Sequence, residues 1–340
     1  MVRKSRISVG DVADIVSAGR DTERRRTSEV ALFVSVDPTA DREMVDALKG
    51  AFVPELGSSV VRVCGFDRVL LASRVWDVAV VLAGTDALGA ADMAESCARH
   101  GIPVALIVES ALDVPRPALP ENVASLVEVI PASSASSLVA RLGRWIVSAA
   151  PDKSLALAAN FSFCRPAKID QLVSACAIEN AAIGVIDIIP GADFPVMTVN
   201  QAKLAMDIAA AYGRPLSVER LADLGGVLGA GFLYRYIART LVGLVPGVGW
   251  ALKGAMGYVG TFATGRALAL RFDSDVTKPR MALDRAGRVA RQVAKSATDI
   301  ARAVRGDDCP DDGRGGSPSD EWKSDGVRIL PLSVSDGAQR

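Results

Sequence analysis

Residues 30–36, with the sequence Val-Ala-Leu-Phe-Val-Ser-Val, form an apolar run of the length and composition typical of a buried parallel strand. The turn Asp37-Pro-Thr-Ala-Asp41 follows, and apolar residues then recur at helical spacing as far as Phe52. The same pattern of strand and helix is repeated along the next hundred residues, with strands at 60–63, 78–83, 102–108 and 125–130 and helices at 88–100 and 135–149. Strands that alternate with helices predict an α/β domain over residues 29–150, built on a parallel sheet.

The composition describes a chain of about two domains whose apolar character comes from small and aliphatic residues. Hydrophobic residues make up 50% of the 340 residues, but aromatic residues only 5%. The 39 basic and 39 acidic residues cancel, so the overall charge does not favour a nucleic-acid partner. Five scattered cysteines and a single histidine predict no zinc site, and the N-terminus lacks the apolar core of a secretory signal.

The turn after the first strand is where a phosphate-binding loop would lie, but it lacks the residues that bind phosphate. Such a loop uses glycines to aim backbone N–H groups at phosphate, a lysine for the β- and γ-phosphates, and a hydroxyl for magnesium. Residues 34–42 contain no glycine and no lysine, and Asp37 and Asp41 add two carboxylates. The sequence therefore predicts no nucleotide or other cofactor.

Two later segments bear on the same question. The strand that ends at Val108 leads into Glu109-Ser110, without the Asn-Lys-x-Asp sequence that reads guanine in Ras-like GTPases. Residues 128–135, Glu-Val-Ile-Pro-Ala-Ser-Ser-Ala, do resemble the element that closes the guanine pocket in those proteins. A degenerate Ras-like domain that has lost its nucleotide is our main interpretation. Another small doubly wound domain and a GTPase with a divergent nucleotide loop remain as alternatives.

Residues 151–272 have a different pattern, in which helical stretches rich in Ala and Gly dominate. Helices are predicted at 168–188, 194–212, 217–234 and 247–272. Residues 1–28 are polar and are predicted to form an arm. The segment 273–305 is predicted to form a basic amphipathic helix, in which residues 278–305 carry eight basic and two acidic residues. The composition of 306–340 predicts a disordered acidic tail.

Several segments of the helical region, in the same order, resemble the YcjF-type family of domains of unknown function (DUF 697). The similar segments are Ile188–Gln201, Ile208-Ala, Tyr212-Gly213, Tyr234-Arg235, Ala238-Arg239, Leu244–Gly249 and Thr261–Gly265. The resemblance covers Ala181–Leu270 and implies a hydrophobic helical domain that is associated with a membrane and coupled to a GTPase-like partner or domain. It implies no catalytic residues.

Hydropathy makes the helical domain only marginally suited to crossing a bilayer. Residues 171–202 contain three acidic residues and no basic ones, and each acid costs roughly 2.5–3.5 kcal/mol at the centre of a bilayer. The better candidate is Thr240–Gly265, which Lys253 alone interrupts and which many glycines weaken. Its small residues predict a face for close helix contact, formed by Gly254, Gly257, Gly260 and Thr264.

The candidate functional residues of the helical domain are structural or interaction residues. Asp193 lies between two prolines, and Arg235 and Arg239 share one helix face, so these charges predict a buried ion pair. The remaining candidates come from the resemblance to the YcjF-type family and are Gln201, Pro246, Gly247 and Gly249. No catalytic or metal-binding residue is predicted.

Together these features predict a non-enzymatic scaffold or adaptor protein at the cytoplasmic face of the cell membrane, either integral or peripheral. Its expected partners are membrane lipid, which the basic helix would bind if the lipid is anionic, and a protein such as a GTPase. The two rival interpretations are a GTP-binding protein with a divergent loop and a soluble helical interaction module.

Overall fold

The computed structural model describes residues 9–110, 120–186, 193–215 and 249–273. Its strands are β1 (Val30–Val36), β2 (Ser59–Cys64), β3 (Val78–Leu82), β4 (Val104–Val108) and β5 (Val127–Pro131). The helices in the first half are α1 (Val9–Arg26), α2 (Arg42–Ala51), α3 (Ala87–Arg99), α4 (Glu121–Ala124) and α5 (Ala135–Ala149). Those that follow are α6 (Ser154–Asn160), α7 (Arg165–Ile186), α8 (Asp193–Ala211) and α9 (Gly249–Phe272).

The five strands form one parallel sheet in the order β2-β1-β3-β4-β5. The three central strands are buried on both faces, because helices cover both sides of the sheet. This confirms the predicted α/β fold. The predicted strand at 30–36 and the predicted helix at 135–149 match β1 and α5 residue for residue.

One face of the sheet shares its core with the first part of the helical region. Leu32 and Val80 of the sheet pack in the same cluster as Leu142 of α5, Leu157 of α6 and Ala210 of α8. The opposite face packs mainly on α3, through residues such as Met93 and Cys97. The helical region is therefore joined to the α/β domain by a common apolar core.

Helices α7, α8 and α9 pack on one another beyond this core. Their contact is formed by Val173, Leu204, Ile208 and Leu268, which are all buried. Predicted helices at 168–188, 194–212 and 247–272 correspond to α7, α8 and α9, whereas the helix predicted at 217–234 lies outside the described residues. Residues 273–305 and 306–340 lie outside them too, apart from Asp273.

Residues 9–26 of the predicted polar arm form helix α1, which packs against α8. Thr22 Oγ1 donates a hydrogen bond to Asp207 Oδ1 at 2.6 Å, and Arg25 forms an ion pair with the same carboxylate at 2.8 Å. Arg26 donates to the backbone oxygen of Gly213 at 3.3 Å. The polar side chains of α1 thus attach it to the helical region.

Within the described ranges, no helix combines the length and the apolar character needed to cross a bilayer. Of the predicted span Thr240–Gly265, residues 249–265 lie in α9 and residues 240–248 lie outside the described part of the chain.

Candidate functional site

The candidate site lies in the crevice at the carboxyl ends of β1 and β3. The chain leaves β1 to form β2 on one side of it and then returns to form β3 on the other side. In doubly wound sheets, ligands bind where the strand order reverses in this way, at the carboxyl ends of the strands. The loop of residues 37–41, after β1, and the loop of residues 83–86, after β3, form the two walls of this crevice.

The carboxylate of Asp37 fills the crevice and connects its two walls. Asp37 is 3% exposed, and its Oδ1 accepts hydrogen bonds from the backbone N–H and the hydroxyl of Thr39, both at 2.8 Å. Its Oδ2 accepts from the backbone N–H groups of Gly84 at 3.1 Å and Asp86 at 3.2 Å. A carboxylate has about four lone-pair positions for donors. In Asp37 each oxygen therefore has two donors, and the set is complete.

The two loops also touch each other directly. Thr39 Oγ1 accepts hydrogen bonds from the backbone N–H and the hydroxyl of Thr85, both at 2.8 Å. A Cβ atom on Gly84 would lie 2.5 Å from Thr39 Oγ1 and 2.6 Å from the backbone nitrogen of Ala40. Position 84 therefore requires glycine, because any side chain would separate the loops.

The electrostatics of the crevice favour the ionised form of Asp37. Burial raises the pKa of its carboxyl group, but the hydrogen bonds from Thr39, Asp86 and Gly84 outweigh burial, and the pKa lies below its ordinary value of 3.8. At neutral pH the crevice therefore contains a negative charge that the backbone N–H dipoles of both loops stabilise.

The second acidic residue of the turn has a local structural role. Asp41 is the N-cap of α2, and its side chain accepts a hydrogen bond from the backbone N–H of Met44 at 3.2 Å. In the sequence, Asp37 and Asp41 are equivalent, as two carboxylates in a turn where phosphate would bind. The structure separates them, because Asp37 fills the crevice and Asp41 caps the helix beside it.

A second polar group lies among α7, α8 and α9, at the predicted residue Gln201. Asn180 Nδ2 donates to Thr261 Oγ1 at 2.9 Å, and Gln201 Nε2 donates to the same hydroxyl at 3.4 Å. Asn200 Nδ2 donates to Asn180 Oδ1 at 3.3 Å. These four side chains, which we call the amide layer, link all three helices. Asn180, Gln201 and Thr261 are fully buried.

Small residues of α9 bring it into close contact with α7 beside the amide layer. A Cβ atom on Gly257 would lie 2.6 Å from the backbone oxygen of Asn180. Gly260 and Thr264, two other members of the predicted small-residue face, are buried as well. Close approach at glycine, together with hydrogen bonds between helices, is typical of helix packing in membranes.

The other predicted site residues of the helical domain are placed only in part. Asp193 and Gly249 are the first residues of α8 and α9. Arg235, Arg239, Pro246 and Gly247 lie outside the described residues. The ion pair between Asp193 and one of the two arginines therefore stays a prediction.

Buried Ser154 and half-buried Lys168 form a hydrogen-bonded pair with the residue types of a catalytic Ser–Lys dyad but not its geometry. Lys168 Nζ donates to Ser154 Oγ at 2.7 Å, and Ser154 Oγ donates to the backbone oxygen of Pro151 at 2.6 Å. Burial lowers the pKa of Lys168, which Asp207 opposes. Ser154 is 1% exposed, and its proton is directed at a carbonyl and not at a base. The pair therefore stabilises the start of α6 and α7 and lacks the geometry of a nucleophile.

Among the described cysteines, Cys64, Cys97 and Cys164 are unsuited to forming a reactive thiolate. Burial raises the pKa of Cys97 to about 12, and it also raises the pKa of Cys164 and Cys64. No group of three or more potential metal ligands occurs in the part of the chain that the structure describes.

Comparison of the chain with family models, with curated proteins and with solved structures finds no match.

Of the amide layer, the sequence singles out Gln201 alone. Asn200 and Thr261 lie within the segments that resemble the YcjF-type family without being singled out there, and Asn180 lies outside those segments. Asparagine and threonine are common in polar helix faces, and positions 180 and 261 lie 81 residues apart. The spacing of small residues in α9 is a sequence signal that points to this region. Glycines on one helix face indicate where another helix approaches, and the amide layer lies beside that contact.

Proposed function

We propose that this chain is a non-enzymatic scaffold or adaptor protein of the YcjF type, associated with the cytoplasmic face of the cell membrane. The observation that carries the non-enzymatic part is the closed crevice. The N–H groups of Thr39, Gly84 and Asp86 are the donors that a phosphate would need, and the Asp37 carboxylate already occupies them. A nucleotide phosphate would therefore meet a negative charge, and these three donors would not be free to bind it.

The fold supports a degenerate GTPase-like origin for the α/β domain. Its loop after β1 lies where a phosphate loop begins, and its strands follow a doubly wound order. Ser134 caps α5 after β5, as expected for the element that resembles the guanine-pocket segment. In this proposal the domain has kept the framework of a nucleotide-binding fold and now acts as a rigid unit for interaction.

The contacts among α7, α8 and α9 support the membrane-associated part of the proposal. The amide layer and the close approach at Gly257 are the kind of contact that holds helices together in lipid. The basic residues of 278–305 are suited to an anionic lipid surface, to which each contributes up to about 1 kcal/mol. We therefore expect the helical region and the basic segment to act together at the membrane.

The full chain is expected to bind neither GTP nor ATP, because Asp37 occupies the N–H donors of Thr39, Gly84 and Asp86 and no lysine lies in the first loop. Isothermal titration calorimetry with each nucleotide and magnesium tests this. The expected result is no heat of binding up to about 1 mM nucleotide, where the binding free energy would be only about −4 kcal/mol. Micromolar binding of either nucleotide would instead support the GTP-binding alternative and would reject our proposal for the α/β domain.

Binding to membranes is expected to depend on the basic segment and on anionic lipid. A variant with glutamine at Arg285, Arg288, Arg291 and Lys295 is expected to bind anionic vesicles at least about tenfold more weakly than the wild type, because it loses four of the eight basic charges of 278–305. The effect is expected to diminish as salt rises. Sedimentation with vesicles of anionic or neutral lipid measures it.

The matched control for this experiment removes the same number of charges from the α/β domain. It carries glutamine at four exposed positions, Arg42, Lys49, Arg62 and Arg144. We expect the control to bind like the wild type. If the wild-type chain binds neither kind of vesicle, the soluble interaction module is the correct interpretation.

A further inference from the structure

The crevice has the properties of a receptor for a small oxyanion. Its donors come from two separate loops, one after β1 and one after β3, and they converge on one planar group. Three of the four donors are backbone N–H groups, which stay in place when the side chain at position 37 changes. Contacts between Thr39 and Thr85 also hold the two loops together independently of Asp37.

We infer that the crevice is a carboxylate-binding site whose permanent ligand is the side chain of Asp37. Each carboxylate oxygen has two donors, at 2.8 Å for Oδ1 and at 3.1 and 3.2 Å for Oδ2. This arrangement fits the two oxygens of a planar monocarboxylate such as formate. A phosphate has four oxygens, and two of them would have no place among these donors.

Because the Asp37 carboxylate is part of the chain, the wild type needs no free anion to fill the crevice. A ligand that is part of the loop it binds loses little freedom on binding, whereas a free anion has to lose its translational and rotational freedom. Free carboxylates therefore cannot displace Asp37. Removal of the Asp37 carboxylate would leave a buried space of formate size, lined by donors without a partner.

The test is chemical rescue of the Asp37→Ala variant by sodium formate in the full chain. Because formate binds the folded state only, it raises the melting temperature of that variant. We expect a rise on the order of 2–4 °C in 0.2 M formate relative to 0.2 M chloride. The wild type, whose crevice is filled, is expected to show no difference between the two salts.

Asp37→Asn is the matched control, because its side chain fills the same space. Its amide nitrogen meets N–H donors and cannot accept hydrogen bonds from them, so this variant is destabilised but has no room for formate. We expect it to melt at the same temperature in formate and in chloride.

If Asp37→Ala does not fold during expression, its refolding yield from urea in formate and in chloride is the readout. Equal behaviour of Asp37→Ala in the two salts, by melting or by refolding, would overturn the inference. Rescue by inorganic phosphate in place of formate would also overturn it, because that result requires a wider, tetrahedral site. The carboxylate site and the proposed function can fail separately. Formate could fail to rescue Asp37→Ala although the wild type binds no nucleotide, and formate could rescue it although the chain binds no membrane.

Discussion

Replacement of Asp37 by alanine is expected to lower the free energy of unfolding by about 3 kcal/mol or more. The substitution removes the charged acceptor of the N–H groups of Thr39, Gly84 and Asp86, and a hydrogen bond to a charged group contributes about 1.5–3 kcal/mol. It also removes the main link between the two loops of the crevice. Urea denaturation of the full chain, followed by circular dichroism, measures the difference.

Asp41→Ala is the matched control, since it removes a carboxylate four residues away that only caps α2. Its expected cost is about 1 kcal/mol, the usual value for an N-cap. Equal effects of the two substitutions would contradict the central role that we assign to Asp37.

The stabilisation by Asp37 is expected to depend on pH in a defined direction. Its pKa is lower in the folded chain than the ordinary value of 3.8. The contribution is therefore fully present above the pKa of the unfolded chain and is lost as the pH falls through the folded pKa. The stability difference between the wild type and Asp37→Asn is accordingly expected to narrow below about pH 4.

The second large effect is expected at Gly257. In Gly257→Ala the new Cβ would lie 2.6 Å from the backbone oxygen of Asn180, so α9 has to move away from α7. Overpacking of this kind costs typically about 1–3 kcal/mol. The same shift weakens the hydrogen bond between Asn180 and Thr261 in the amide layer. We expect a net loss of about 2 kcal/mol or more, measured by urea denaturation.

Gly50→Ala provides the control for helix propensity, because a Cβ atom at Gly50 of α2 has no neighbour within 4 Å. Alanine is expected to stabilise the chain there by about 0.5–1 kcal/mol. A stabilising effect of Gly257→Ala, similar to that of Gly50→Ala, would show that α7 and α9 are not in close contact.

Most elements of the α/β domain were predictable because their signals are local. Residues 30–36 are apolar without a charge, and α5 repeats Leu138, Leu142 and Ile146 at helical spacing. Helix α6, Ser154–Asn160, is buried all round and too short to show a period, so the sequence pattern did not indicate it. Helix α1 was missed because its contacts with α8 are polar.

From the sequence, the candidate site can be predicted only as a phosphate-binding loop that lacks its phosphate-binding residues. The missing glycines and lysine after β1 are visible in the sequence and correctly draw attention to Asp37. The partners of Asp37, however, lie after β3, and nothing in the residues around Gly84 and Asp86 indicates that their N–H groups face a carboxylate. That information resides in the strand order, which brings the two loops together.

The central claim is that an ionised Asp37 carboxylate fills the crevice, and a nuclear magnetic resonance titration tests it most directly. The carboxyl carbon of Asp37 and the amide protons of Thr39, Gly84 and Asp86 would be followed from neutral pH into acid. The account predicts that Asp37 titrates below its ordinary pKa of 3.8 and that the three amide signals shift with the same midpoint. A carboxyl group that titrates at or above 3.8, while these amides do not respond, would contradict it.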